Sequence, residues 1–293
     1  MRYKNKGQDI TKYILIELLA VAFLATGGIF VRSSGISPVN CGFYRILFSL
    51  PFLYPLAKSE FKSLSKKDVI LLLLAGVFFA TDVGLANTAY HYTSVANVNL
   101  LSTLTPLTIV PVTFWVFKEK IPKFYLLGLI IAIVGVVILV NGKVDPLGKN
   151  YIGDMMAFLS SVFYSLFLLV SYKMRKRIGG STILFVAGIG SVITFFVYAS
   201  ILEGFQLPAT RKDFLLMIGL SLCMQVIGQW IFTYCQGKIS VNISSVVGLI
   251  QPAFAAIYAL LIFKEKLTVM EVAGIAVVTV GIFLVKIQYD TKH

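Results

Sequence analysis

The chain contains two copies of one segment, and this duplication constrains its fold more than any other feature. Sliding residues 94–140 forward until Ser94-Val95 meets Ser240-Val241 brings Pro106 onto Pro252 without a gap. Phe117-Lys118-Glu119-Lys120 then falls on Phe263-Lys264-Glu265-Lys266, Gly128 on Gly274 and Gly135 on Gly281. Matches among Leu, Ile and Val carry little weight in an apolar sequence. A proline, two glycines and a charged run in one register carry a great deal. The chain is therefore a tandem repeat, and its architecture has to hold two similar units.

Composition says what surrounds those units. Hydrophobic residues make up 58% of the chain and charged residues 13%, with a mean hydropathy of +0.87. A soluble domain would carry about 25% charged residues. A hydrocarbon core about 30 Å thick needs about 20 apolar residues per helix. The sequence divides into ten such runs: Tyr13–Arg32, Pro38–Ala57, Asp68–Tyr90, Val95–Phe117, Phe124–Val140, Ile152–Lys173, Thr182–Leu202, Phe214–Cys235, Asn242–Phe263 and Val269–Lys286. The connections between them leave no room for a soluble domain. Barrel strands would read as segments of about ten residues with alternating polarity, and none occurs. The expected fold is an all-α membrane protein of ten transmembrane helices, built from two inverted five-helix repeats over residues 13–140 and 151–287. The polar stretch from Asn141 to Asn150 is the seam.

The net charge of +13 does not point to nucleic acid, because the cations gather in alternate loops. One set comprises Arg2, Lys4, Lys6 and Lys12, then Lys58, Lys62, Lys66 and Lys67, then Lys118, Lys120 and Lys123, then Lys173, Arg175, Lys176 and Arg177. The positive-inside rule puts these loops and both termini in the cytoplasm, with the chain in the cell (inner) membrane. Five spans per repeat is an odd number, so the halves cross in opposite senses. Phe117-Lys118-Glu119-Lys120 is expected inside and Phe263-Lys264-Glu265-Lys266 outside. An inverted repeat places a substrate site near the midplane.

Other signals are weaker. The first span is too long for the apolar part of a secretory signal. Cys41, Cys223 and Cys235 form no metal or disulfide pattern and read as small packing residues. Asn242-Ile243-Ser244 matches a glycosylation sequon at a membrane boundary on the inner side, and is discounted. The histidines are His91 and His293, and no catalytic or phosphate-binding motif is present, so no catalytic residue, metal or cofactor is expected. A channel would need a carbonyl filter or charged ring, which the sequence does not offer.

Tyr92-Thr93-Ser94-Val95-Ala96-Asn97 leading to Pro106 and Phe117-Lys118-Glu119-Lys120, with the matching second copy, resembles the drug/metabolite transporter superfamily, specifically its EamA-type ten-span carriers. Gly153-Asp154-Met155-Met156-Ala157-Phe158-Leu159 is similar to that family's sixth-span start, and Tyr44-Arg45 to its second-span basic residue. The resemblance implies a secondary transporter of small metabolites working by alternating access, with amino acids or their derivatives as the leading cargo. The alternatives are export of organic cations or drugs, and a non-transporting receptor or sensor. Expected partners are the small-molecule substrate, a proton as a candidate coupling ion, and membrane lipid, with no nucleic acid and a monomer or homodimer as the assembly.

Physical chemistry suggests where cargo would sit. Pro106 and Pro252 each remove a backbone N–H in mid-span, bend the helix and free a carbonyl, at Ser102 and Gly248. Such a group needs a partner or a water-filled cavity. Asn99, Ser102 and Thr103 share a face with Pro106, and Ser245 and Gln251 occupy the corresponding region of the ninth span. These residues read either as cavity walls or as polar contacts between helices. Asp82 and Arg45 lie at similar depth on consecutive spans, where an unpaired charge costs about 2.5–3.5 kcal/mol. Asp82 is therefore a cation- or proton-binding candidate, or one half of an ion pair with Arg45. Gln225, Gln229 and Trp230 in the eighth span and Tyr164 in the sixth complete the candidate substrate site. Glu17, one turn into the first span, reads as an interfacial carboxylate that snorkels to the headgroups. The repeated glycines are seven residues apart and allow close helix approach, between the fifth and tenth spans or across a dimer.

Overall fold

The computed structural model describes residues 3–89, 92–93, 98, 101–118, 121–141, 151–264 and 267–291. Every regular element among them is helical. The first span is α1 (Tyr3–Ala25) and α2 (Gly27–Ser33), and the second is α3 (Pro38–Leu47) and α4 (Leu50–Ala57). Then come α5 (Lys66–Ala89), α6 (Thr105–Trp115), α7 (Lys123–Asn141), α8 (Tyr151–Met174) and α9 (Gly180–Tyr198). The eighth span is α10 (Arg211–Leu220), a π-helical stretch Ser221–Gln229 and α11 (Trp230–Gln236). The ninth is α12 (Val241–Gly248) and α13 (Gln251–Phe263), and α14 (Val269–Thr291) closes the chain. Among the described residues, seven continuous helical segments are long and apolar enough to cross a membrane, and α6 and α7 are shorter apolar helices. The chain is a multi-pass helical membrane protein.

Helix starts follow the sequence. The third span opens with Ser65 and Asp68 bonded reciprocally, Ser65 N–H to the carboxylate at 3.1 Å and Asp68 N–H to Ser65 Oγ at 3.2 Å. Thr268 and Glu271 repeat this capping box at the start of α14, satisfying amides that a helix leaves unpaired. At the eighth span Thr210 accepts from Asp213 N–H.

The helices of the fifth and tenth apolar runs pack antiparallel. Along α7 and α14 the contacts run in reverse order, Gly128 against Gly281 and Val285, Gly135 against Val278, and Leu139 against Gly274. A Cβ on Gly128 would stand 2.8 Å from Gly281 O, and one on Gly281 2.5 Å from Ala132 N. The repeated glycines thus let the fifth and tenth spans meet backbone to backbone.

The second and seventh spans are joined at both ends by carboxylates. Glu203, which ends the π-helical turn after α9, accepts from Ser37 Oγ at 2.5 Å and Val39 N–H at 3.0 Å, capping α3. Glu60, in the 3-10 turn after α4, accepts from Gly179 N–H and Thr182 Oγ1, both at 2.7 Å, capping α9. Each helix ends beside the other's beginning. Two flanking contacts follow the same logic: Gly35 N–H donates to Asp213 at 3.0 Å, and Arg177 pairs with Asp68 at 2.6 Å.

Candidate functional site

The fourth and ninth spans are broken, and both breaks fall beside a proline. Pro106 and Pro252 each stand in the first turn of a new helix, α6 and α13, where a missing N–H costs nothing. The bends anticipated at the two prolines are thus interruptions between separate helices. Around the first break, Ser165 Oγ donates to Thr105 O at 3.1 Å, and Ser160 Oγ donates to Ser102 Oγ at 2.9 Å. Around the second, nothing lies within 4 Å of where a Cβ on Gly248 would stand.

Two connected cavities occupy this region. The larger, about 1220 Å³, lies between the first, second, third and ninth spans and extends to Arg32, Pro38 and Glu271 at one face. The smaller, about 240 Å³, continues inward and is walled by Ser102, Thr105, Tyr164, Gln229, Ser245 and Gly248, among others. Arg45, Asp82, Thr103 and Gln251 line both and mark the junction. Asp82, Val83, Ala86 and Asn87 present one face of α5 to the larger cavity.

The charged junction differs from an ion pair. Arg45 Nε donates to Gln225 Oε1 at 3.1 Å, and its guanidinium lies 5.2 Å from the Phe79 ring centroid. No Arg45–Asp82 contact within 4.0 Å is formed, so of the two alternatives drawn from shared depth the direct pair is absent, and the two charges face one cavity. Gln225, buried and off the cavity wall, fixes the arginine in place. Phe79 continues into Tyr164 and Phe167, with ring centroids 6.3 and 5.1 Å away, which makes an apolar wall beside the charges.

The other anticipated residues divide clearly. Ser102, Thr103, Tyr164, Gln229, Ser245 and Gln251 join Asp82 in the cavity walls. Trp230 does not; its Nε1 donates to Ser181 Oγ at 3.2 Å and its ring sits 6.3 Å from Tyr234, because the π-helical stretch before it rotates the face that follows. Asn99 lies outside the described residues. Asn242, of the sequon, is buried and accepts from Thr113 Oγ1 at 2.9 Å. Asn87 was not anticipated, although its position on the Asp82 face of α5 was available as a signal. Glu17 is the main correction. It does not snorkel: it is 0% exposed, because it shares a face with Ala20, Val21 and Leu24, which pack inward against the eighth and ninth spans.

A family model described as "EamA-like transporter family" matches residues 11–141 and again 151–287. The chain belongs to the EamA-like transporter family. A Clostridium kluyveri protein named as an uncharacterized transporter is 25% identical over 286 residues, covering 92% of this chain and 91% of its own. The uncharacterized transporter YetK of Bacillus subtilis is 26% identical over 78% of this chain and 71% of its own. One solved crystal structure shares the fold at a TM-score of 0.80 and 15% identity, covering 95% of this chain and 97% of its own. Membership of the EamA-like family makes the protein a membrane transporter.

Proposed function

We propose that the protein is a secondary carrier of small zwitterionic metabolites, with amino acids or close derivatives as cargo, working by alternating access without nucleotide. The observation that carries the reading is the pairing of one fixed cation, Arg45, and one fixed anion, Asp82, across a single cavity without direct contact. A ligand with a carboxylate and an ammonium group complements both. The N-termini of α6 and α13 add partial positive charge at the two breaks, as half-helix ends do toward anionic groups in transporters. The Phe79–Tyr164–Phe167 wall would accommodate an apolar side chain.

The antiparallel packing of α7 with α14 and of the second span with the seventh supports two inverted five-helix repeats over 13–140 and 151–287. Corresponding helices can run antiparallel in this way if the halves cross the membrane in opposite senses. The basic loops then put both termini in the cytoplasm of a cell with an inner membrane. The larger cavity faces outward in that orientation.

Export of organic cations is the second reading, favoured by Asp82 alone; Arg45 at the same junction opposes it. Proteoliposomes of the purified protein, loaded and challenged with α-amino acids, their decarboxylated amines and their deaminated acids, decide between the two. Saturable flux of the zwitterion, with weak competition from either fragment, is expected. Preferred flux of the amine would replace the proposal with cation export, and tight binding without flux would replace it with a receptor.

A further inference from the structure

The smaller cavity ends against a group of buried polar side chains, of which Gln229 and Ser244 line it and the rest lie behind. Glu17 is 0% exposed, and neither carboxylate oxygen forms a well-aligned hydrogen bond among the described residues. Ser244 faces the carboxylate, and its Oγ likewise forms no well-aligned hydrogen bond among the described residues. On the eighth span, Gln229, Thr233 and Gln236 recur at i, i+4 and i+7. Each is at most 1% exposed, and the side-chain oxygens of all three are unpartnered. α1 packs against this span and against α12. Gln229 and Ser244 both reach the cavity wall.

The charge in this cluster is not balanced from within. Arg175, the cation at this end of the eighth span, donates to Thr233 O at 3.1 Å and Ile178 O at 2.7 Å, so it is held by carbonyls and not by Glu17. Tyr164 and Cys235 are the other titratable side chains near the carboxylate, and neither supplies positive charge. A carboxylate left this way in a membrane interior is expensive. In addition α12 ends at Gly248 within the membrane, and the C-terminal end of a broken helix carries partial negative charge of the kind that holds coupling cations.

We propose that Glu17 and Ser244, with oxygens from the Gln229–Thr233–Gln236 face, form a binding site for one dehydrated sodium ion directly behind the floor of the solute cavity. A single proton would neutralise Glu17 yet engage only one of the clustered oxygens. An alkali cation takes several at once, and Glu17, Ser244 and the eighth-span face offer them from three spans. The site adjoins the solute through Gln229 and Ser244, so occupancy and solute binding would be linked.

The test needs no solute and no flux, so it stands or falls separately from the carrier reading. Thermal unfolding of the full-length protein in detergent is followed in sodium, potassium and choline chlorides at one ionic strength and one pH. The melting temperature should rise saturably with sodium only, as for a ligand that binds the native state. Glu17→Gln should abolish the rise. Should that variant fail to fold, Ser244→Ala, which keeps the charge, should raise the half-saturating sodium concentration about tenfold, the loss of one hydrogen-bond-scale contact. Identical melting in the three salts overturns the proposal. So does melting that follows pH and ignores sodium, or a sodium response unchanged in both variants.

Discussion

Arg45 and Gln225 are bonded at 3.1 Å across the second and eighth spans, one from each half of the chain, and this contact aims the guanidinium at Asp82 without letting the two charges meet. Losing Asp82 therefore breaks no ion pair. Asp82→Asn should leave the melting temperature nearly unchanged and raise the half-saturation for an α-amino acid about 10- to 100-fold, the loss of one hydrogen bond to a charged group. Arg45→Gln should have the same sign of effect on uptake. Measured on half-saturation, the double variant should fall short of the sum of the two by more than about 0.5 kcal/mol, since both hold one ligand.

The glycine contacts predict a split between stability and transport. A Cβ on Gly135 would collide with the backbone of Val278, which cannot swing aside as a side chain can. Gly135→Val should destabilise the protein by about 1–3 kcal/mol, as overpacking does, seen as a lower melting temperature. Gly248 has open space around it and lines the smaller cavity. Gly248→Ala should fold normally and change half-saturation instead.

Lys118 and Lys264 hold corresponding places in the two repeats, and both take left-handed backbone, with φ of 54° and 56°. That conformation costs a non-glycine residue about 1–2 kcal/mol, more for a branched one. Lys264→Gly should be tolerated and Lys264→Val should lower the melting temperature, a contrast that loss of charge alone would not produce.

The same two positions test the orientation of the halves. In a variant lacking native cysteines, Lys118→Cys should react with an impermeant maleimide only from the cytoplasmic side, and Lys264→Cys only from outside. Reaction of both from one side would remove the inverted repeat.

The spans were legible in the sequence because lipid imposes one length and one polarity on them. The observed helices Lys66–Ala89, Tyr151–Met174 and Val269–Thr291 lie close to the apolar runs. Polar residues beside the mid-span prolines were legible as cavity wall or as helix contact, and the structure puts Ser102, Thr103, Ser245 and Gln251 on the wall. Glu17 differs from its expectation because helix face, not distance along the helix, decides its burial: it lies on the inward stripe with Ala20, Val21 and Leu24. Trp230 was placed by ordinary helical spacing, which the π-helical turns before it do not obey. The carboxylate caps from Glu60 and Glu203 join residues more than a hundred positions apart, and no local pattern announces them.

Those two caps have a consequence for how the chain is made. The second span's helix begins on a carboxylate from the later half, and the seventh span's helix begins on a carboxylate from the earlier half. A missing cap costs a helix about 0.5–2 kcal/mol, so a ribosome that has released only the first half has produced a unit with one helix start unfinished. The two copies have become mutual dependents: cut between Asn141 and Tyr151 and expressed separately, each should be degraded alone and rescued by co-expression with the other.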